Sequence, residues 1–550
     1  MRLSGITNLL VQVAVLHQSL SSAAVIRIHS RATRQIRNIY IKDQAILNMG
    51  SAWSGPGGNN GDKILQPVPM IKGDDKDPRY RRLTQLLKLN HHDHSIFYHN
   101  LEYHNHMAYI LSSAYLFGAS ADHLNDIYEK ESKELEPWKD SPQEIDPGNW
   151  RAHLGDKNYQ RAYLHFFEEE MIKKGDNWKV TVWQFLTDKY VPDKNRPWEN
   201  HQLLHGLMEG IGHPLIHLGY AMEMNDKNLA AEALAMAASS YQNIHEYVDD
   251  PNPPEPFITS TEIREILDKL FENPNYDEFC KNTGVGHPEK VLETDPPFLE
   301  FNTYIIKKER AKLAEAFQKQ VEAAVMLLMT SHKVGDPRYD FFLAHTVTTI
   351  HALRVIIPML EKELPEQEAF QQTWHLLRSH MVLTSVVYIS QCRPTIKDWL
   401  LEEVDLDGKD WDYVKKKALE GERRFDSHYV KMLRSFEEFE KLFGKGDPSD
   451  EKHNLYLKAA VKFADEFKGW VGFAAPTAGM GKLDYKDVTH HQEHHEEHHD
   501  DEHHDEHHDD HEEHHDEHHD DEHDDEYHDD GDDDEHHEDE EHDPHDDEHV

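Results

Sequence analysis

Apolar residues in this chain recur three and four positions apart, and runs that alternate apolar with polar residues between turns are essentially absent. Leu313, Phe317, Val321, Val325 and Leu328 form one such stripe, and Phe341, His345, Thr348, Ala352 and Val355 form another. Side chains at these spacings fall on one face of an α-helix, whereas a half-buried strand needs alternation. Residues 77–480 therefore read as one large all-α, bundle-like domain. Breaks at Pro251–Pro256 and at Asp295-Pro296-Pro297 divide two helical groups within it.

The two ends have other compositions. From His490 to Val550 there are 22 His and 34 Asp or Glu, with no Lys or Arg. Taking those acids from the chain total of 105 leaves 71, against 58 Lys and Arg, in residues 1–489. The formal net charge of −47 thus belongs mostly to the tail, and the body is mildly acidic. Without a basic surplus, tracking of nucleic-acid phosphates is excluded. Residues 481–550 cannot bury a core and should be disordered. Paired imidazoles such as His494-His495 and His498-His499 would chelate divalent metal ions weakly, without a preformed fold. The competing reading is a low-complexity repeat that keeps the protein in solution.

At the other end, no acidic residue precedes Asp43, and Arg27, Arg31, Arg34 and Arg37 lie among small polar residues. That is the composition of a mitochondrial leader over residues 1–45. A secretory signal around Leu9–Leu16 and a translation start at Met49 compete with it. A mitochondrial or cytoplasmic location fits better than secretion. Residues 46–76 read as a linker, because Ser54-Gly55-Pro56-Gly57-Gly58 cannot hold regular structure. No uninterrupted apolar run reaches the length of about 18 that a membrane span needs, so none is expected. Cys280 and Cys392 lie far apart, which excludes a disulfide scaffold and favours a reducing compartment.

Nucleotide fingerprints are missing. Gly284-Val285-Gly286 and Gly479-Met480-Gly481-Lys482 follow no strand, and Leu483 replaces the Ser or Thr of a phosphate loop. Histidine placement is the informative feature. If the helix begins at Tyr103, His106 shares its apolar stripe with Met107, Ile110 and Phe117, and His104 falls on another face. Pro214 suits the first turn of a helix and puts His213 at its mouth. His213 and His217 then lie one turn apart, the spacing at which two imidazoles grip one metal. His428 and Lys431 share a face on a further helix. A lone inward histidine is most often a packed residue bonded to a carbonyl. Several on separate helices favour a metal centre, because bundles build such sites from facing helices. Imidazole suits Fe, Zn, Cu and Ni alike, so the metal stays open.

At these same residues the chain resembles the questin oxidase family of fungal polyketide-tailoring oxidoreductases, which includes the Baeyer–Villiger-type enzyme of the aflatoxin pathway. The matching pieces are His104-Asn105-His106, Gly212-His213-Pro214-Leu215-Ile216-His217-Leu218-Gly219-Tyr220, Ala344-His345-Thr346, Arg393-Pro394 and Asp426-Ser427-His428-Tyr429-Val430-Lys431. The resemblance implies oxygen-dependent opening of an anthraquinone or similar polycyclic ring, with NADPH and non-haem iron as cofactors. It makes His106, His213, His217 and His428 candidate iron ligands and Lys431 a candidate carboxylated lysine. His345 would be a further ligand or a group that orients one. Tyr109 and Tyr220 could hydrogen-bond substrate phenols, although packing accounts for either. Tyr109 also stands where the family pattern has a second histidine. Two other classes of function compete: a non-catalytic metal-handling protein acting through its tail, and a helical binding module for an aromatic ligand.

Overall fold

The stripe from Leu313 to Leu328 lies on a helix spanning Arg310–Thr330, and all five of its members are fully buried. Burying each such side chain contributes about 2 kcal/mol. The second stripe lies on Phe341–Glu363, the axis of the fold. This helix packs against His213–Met224, Arg310–Thr330, Glu366–Ser390 and Ser427–Phe443. Contact on all sides explains why every residue from Phe342 to Leu360 is buried. The computed structural model describes residues 63–175, 177–188, 202–242, 244, 260–281, 287–292, 306, 309–444 and 454–473. The leader, the Gly-rich stretch, both Pro-rich breaks, both Gly-x-Gly segments and the His-rich tail lie outside them.

Among the described residues the fold is all-α, as the periodicity predicts. The axial helix is long and apolar enough to cross a membrane by length and composition, with a mean hydropathy of 1.3. Its whole apolar window is buried inside the protein. The hydropathy average tolerates interruptions, so counting unbroken apolar runs does not register this helix.

Two very short strand pairs depart from the helical reading, and each flanks the site described below. Phe97–Tyr98 pairs antiparallel with Tyr103–His104. Tyr339–Asp340 pairs in parallel with Trp470–Val471. The helix expected from Tyr103 therefore begins at Met107, after a strand. Strand geometry turns Tyr103 outward and His104 inward.

The linker reading fails over its last residues. Ile64 and Leu65 are buried in the core. The Ile64 N–H donates to the Glu361 carboxylate at 2.9 Å, and the Ile71 N–H donates to the Glu223 carbonyl at 2.9 Å. Arg354 also bonds the Gln66 carbonyl. These residues join the fold through contacts 152 to 297 positions away, beyond the reach of local composition. Cys392 is buried and disulfide-bonded.

Candidate metal centre

Four histidines from four segments converge. One ring nitrogen from each of His106, His213, His345 and His428 lies within 4.8 Å of the others. Each is placed by a local device. Asn105 accepts the Met107 N–H at 3.0 Å and ties back to Asn90 at 3.0 Å, which fixes the turn carrying His106. Gly212, with φ of +80°, lets the backbone pass so close to Thr349 that a Cβ would sit 2.0 Å from its methyl. His213 then opens its helix, followed by Pro214 as expected. Asp340 caps the axial helix by accepting the Leu343 N–H, one turn before His345. Asp426 caps Ser427–Phe443 by accepting the Tyr429 N–H, and Trp470 also donates to it at 2.9 Å.

Hydrogen bonds fix three of the imidazoles in one tautomer. Nδ1 of His106 faces the His104 carbonyl, that of His213 faces the Gly210 carbonyl at 2.7 Å, and that of His345 faces the Phe341 carbonyl at 2.7 Å. A carbonyl only accepts, so each Nδ1 carries the hydrogen and each Nε2 keeps a lone pair. The Nε2 atoms of His106 and His213 stand 3.1 Å apart. Those of His345 and His428 are buried without a hydrogen-bond partner. Burial first, and then the charge of Lys431, hold all four rings well below the ordinary histidine range. Three rings with Nε2 lone pairs fixed toward one another, and His428 beside them, could hold a metal ion. Donors about 2.1 Å from one metal lie roughly 3.0–3.4 Å apart, which the His106–His213 separation matches.

Lys431 completes the group. Its Nζ is buried without a partner and lies 5.3 Å from the centre of the Tyr109 ring. Burial outweighs the opposing charge of Asp426 and brings the amine down to about 7. The helical face that His428 shares with Lys431 does point at the centre. His345 stands inside the four-histidine group, as a member equal to the others.

Two further placements differ from the sequence reading. His217 faces away from the group: its Nε2 meets Glu232 at 2.7 Å and its Nδ1 meets the Tyr109 hydroxyl at 3.2 Å. Both nitrogens are therefore engaged, and one helical turn separates a member of the group from a residue behind it. Conversely His104 is buried and stacks on His213, with ring centres 3.8 Å apart and planes at 2°. The period-2 alternation of a strand was the missing signal, and two residues are too few to show it. The Tyr220 hydroxyl is taken by Ser113 at 2.7 Å, and its ring stacks on Tyr109 at 5.3 Å, so packing accounts for it.

A profile described as questin oxidase-like matches residues 103–436.

The chain belongs to the questin oxidase-like family.

The matched span holds all four histidines and Lys431. A questin oxidase of Aspergillus terreus is 22% identical over 306 residues, covering 52% of this chain and 66% of its own length. The Baeyer–Villiger oxidase AgnL3 of Paecilomyces divaricatus is 22% identical over 429 residues, 71% of this chain and 88% of its own. The Baeyer–Villiger monooxygenase AacuH of Aspergillus aculeatus is 30% identical over 164 residues, 29% of this chain and 32% of its own. Membership of this questin oxidase-like family supports an oxidoreductase.

Proposed function

We propose that this chain uses molecular oxygen to insert oxygen into, or cleave, a polycyclic aromatic ring of the anthraquinone type, in a Baeyer–Villiger-like tailoring reaction. The observation that carries the reading is the facing pair of Nε2 lone pairs on His106 and His213, inside a group of four neutral imidazoles. Two lone pairs in contact repel unless a cation lies between or beside them. Non-haem iron suits the site, held by His106, His213, His345 and His428, with Lys431 beside them. A bound iron supplies the one-electron redox couple that dioxygen requires before it reacts with a closed-shell ring.

The chain's own residues do the rest. As a neutral amine, Lys431 can add to carbon dioxide, forming an N–C bond and losing a proton. The carbamate offers a hard oxygen donor where an ammonium would repel a metal. Phe341 and Trp470 pack around His428, with ring centres 4.4 and 5.8 Å from it. Phe473, at 4.5 Å from Phe341, is 37% exposed. These rings form an apolar approach to the His428 side, suited to a flat aromatic substrate. NADPH would serve a monooxygenase, which needs two external electrons for each oxygen molecule; a dioxygenase needs none.

The test is oxygen consumption by the iron-loaded chain on questin, with NADPH consumption followed in parallel. Turnover that is lost in His345→Ala supports the reading. Absence of turnover in iron-loaded protein contradicts it. One NADPH per oxygen molecule identifies a monooxygenase.

A further inference from the structure

Behind the metal centre runs a second set of titratable groups that metal binding does not use, buried at Tyr109, His217 and Glu232 and part-exposed at His91 and Glu168. Glu168 meets His91 Nε2 at 2.9 Å, and His91 Nδ1 meets Glu232 Oε1 at 2.7 Å. Glu232 Oε2 meets His217 Nε2 at 2.7 Å, and His217 Nδ1 meets the Tyr109 hydroxyl at 3.2 Å. Five side chains from five helices thus form one unbroken hydrogen-bonded line. Its inner end is Tyr109, whose ring lies 5.0 Å from that of His106. Its outer end opens into a cleft of about 570 Å³, lined by His91 and Glu168 together with His92, Asp93, Arg161 and His165.

We propose that Glu168, His91, Glu232, His217 and Tyr109 form a proton path between that cleft and the metal centre. That it serves a reaction there rests on the function proposed above; the path itself does not.

The acceptors set the direction. Both nitrogens of His91 face carboxylate oxygens, so both carry hydrogen and the ring is an imidazolium. Glu232 accepts from His91 and also from His217 Nε2–H. With Nε2–H turned to Glu232, His217 offers Nδ1 to the Tyr109 O–H at 3.2 Å. This is the arrangement of a carboxylate and an imidazole that activate a hydroxyl. When a substrate phenol gives its proton to the Tyr109 oxygen, the Tyr109 proton passes to His217 Nδ1. The Nε2 proton of His217 then passes to Glu232. With Glu232 neutralised, His91 releases its Nε2 proton to Glu168 and the cleft. One proton enters at Tyr109 and one leaves at Glu168. In the new state the Tyr109 hydroxyl turns to its other acceptor, the His213 carbonyl at 3.4 Å. The reverse transfer later returns one proton to the ring-opened product. Nothing is oxidised or reduced in either direction.

A merely structural network would show the same contacts, so the test needs two readouts. The first is nitrogen-15 NMR of the metal-free full-length chain, with His91 and His217 assigned by difference against His91→Gln and His217→Gln. The expected result is His91 with both nitrogens protonated and His217 with Nε2–H alone. A neutral His91, or a His217 protonated on Nδ1 only, overturns the path. The second readout is turnover of questin by the iron-loaded chain. His91→Ala should lower kcat about tenfold or more with KM unchanged, within the range for general acid–base steps. Imidazole added to the cleft should restore part of that rate, and the solvent deuterium isotope effect should rise in the unrescued variant. His91→Gln, closer in size, covers the case in which His91→Ala does not fold. Folded, iron-containing variants with unchanged kcat and isotope effect overturn the proposal, as does a loss of kcat that imidazole leaves untouched. If the unaltered chain does not turn over questin, the proposed function fails and the NMR result alone decides the path.

Discussion

The Nε2 atoms of His106 and His213 face each other at 3.1 Å, with both Nδ1 hydrogens committed to backbone carbonyls. Neither ring can donate to the other, so something else must satisfy the pair. The same shortage recurs at His345 and His428, whose Nε2 atoms are buried and unpartnered. Each such atom left empty costs about 1–3 kcal/mol. One shared cation removes all four costs together.

His217 separates ligands from their support. Because its ring bonds Glu232 and Tyr109, His217→Gln should keep the tightly held metal while slowing turnover, whereas His213→Ala should lose the metal. Metal content per chain, measured on protein ending at residue 489 so that the His-rich tail contributes nothing, distinguishes the two. Loss of metal in His217→Gln with intact helix content would show that the ring reaches the centre.

His104 should matter, although the sequence sets it apart from the site. It stacks on His213, an aromatic contact of about 1 kcal/mol, and its carbonyl orients His106. A group that orients a ligand typically carries about 10–100-fold in metal affinity. His104→Ala should therefore weaken metal binding toward the lower end of that range, since the backbone carbonyl remains. Competition with a chelator reads the change, and an unchanged affinity would show that the stack is incidental.

Most of the helical frame was legible in the sequence, because spacing along a helix is a local property. The stripe at Leu313–Leu328 and the start of a helix at His213-Pro214 needed no tertiary knowledge. What was hidden depends on which face meets which neighbour. His213 and His217 share a side of their helix, yet its rotation puts one on the centre and the other on Glu232. His91 sits on a helix rich in charged residues and is unmarked there, whereas Glu232 is a lone acid in the apolar run Leu229–Met236, which signals burial but not its partners.

Residues 63–76 should not be dispensable. A chain starting at Asp77 loses Ile64 and Leu65 from the core, about 2 kcal/mol each by apolar burial. It also leaves the buried Glu361 carboxylate without the Ile64 N–H. Thermal unfolding of that shortened chain should occur several degrees lower than for one starting at Lys63. Equal melting temperatures would place the N-terminal boundary of the fold at Asp77 after all.

The His91–Glu232 pair makes stability depend on pH in two directions. Burial lowers the His91 value, but hydrogen bonds to Glu168 and Glu232 outweigh it and raise it from 6.5 to about 10. Its contribution is full below about 6.5 and fades as pH rises toward 10. Burial raises the Glu232 value, but the bonds to His217 and His91 bring it from 4.5 to about 2. Its contribution is full above about 4.5 and fades as pH falls toward 2. Urea unfolding of the unaltered chain, compared with the double variant Glu232→Gln with His91→Gln, should show the largest difference between about pH 4.5 and 6.5. A difference that does not vary from pH 4 to pH 10 would contradict the pairing.

The proposed chemistry turns on a single metal held by His106, His213, His345 and His428. Metal analysis of protein ending at residue 489, produced anaerobically with iron supplied, tests it most directly. One iron per chain is expected in the unaltered protein and none in His345→Ala, with helix content unchanged. Protein that folds without stoichiometric metal, or that keeps its iron when His345 is removed, would contradict it.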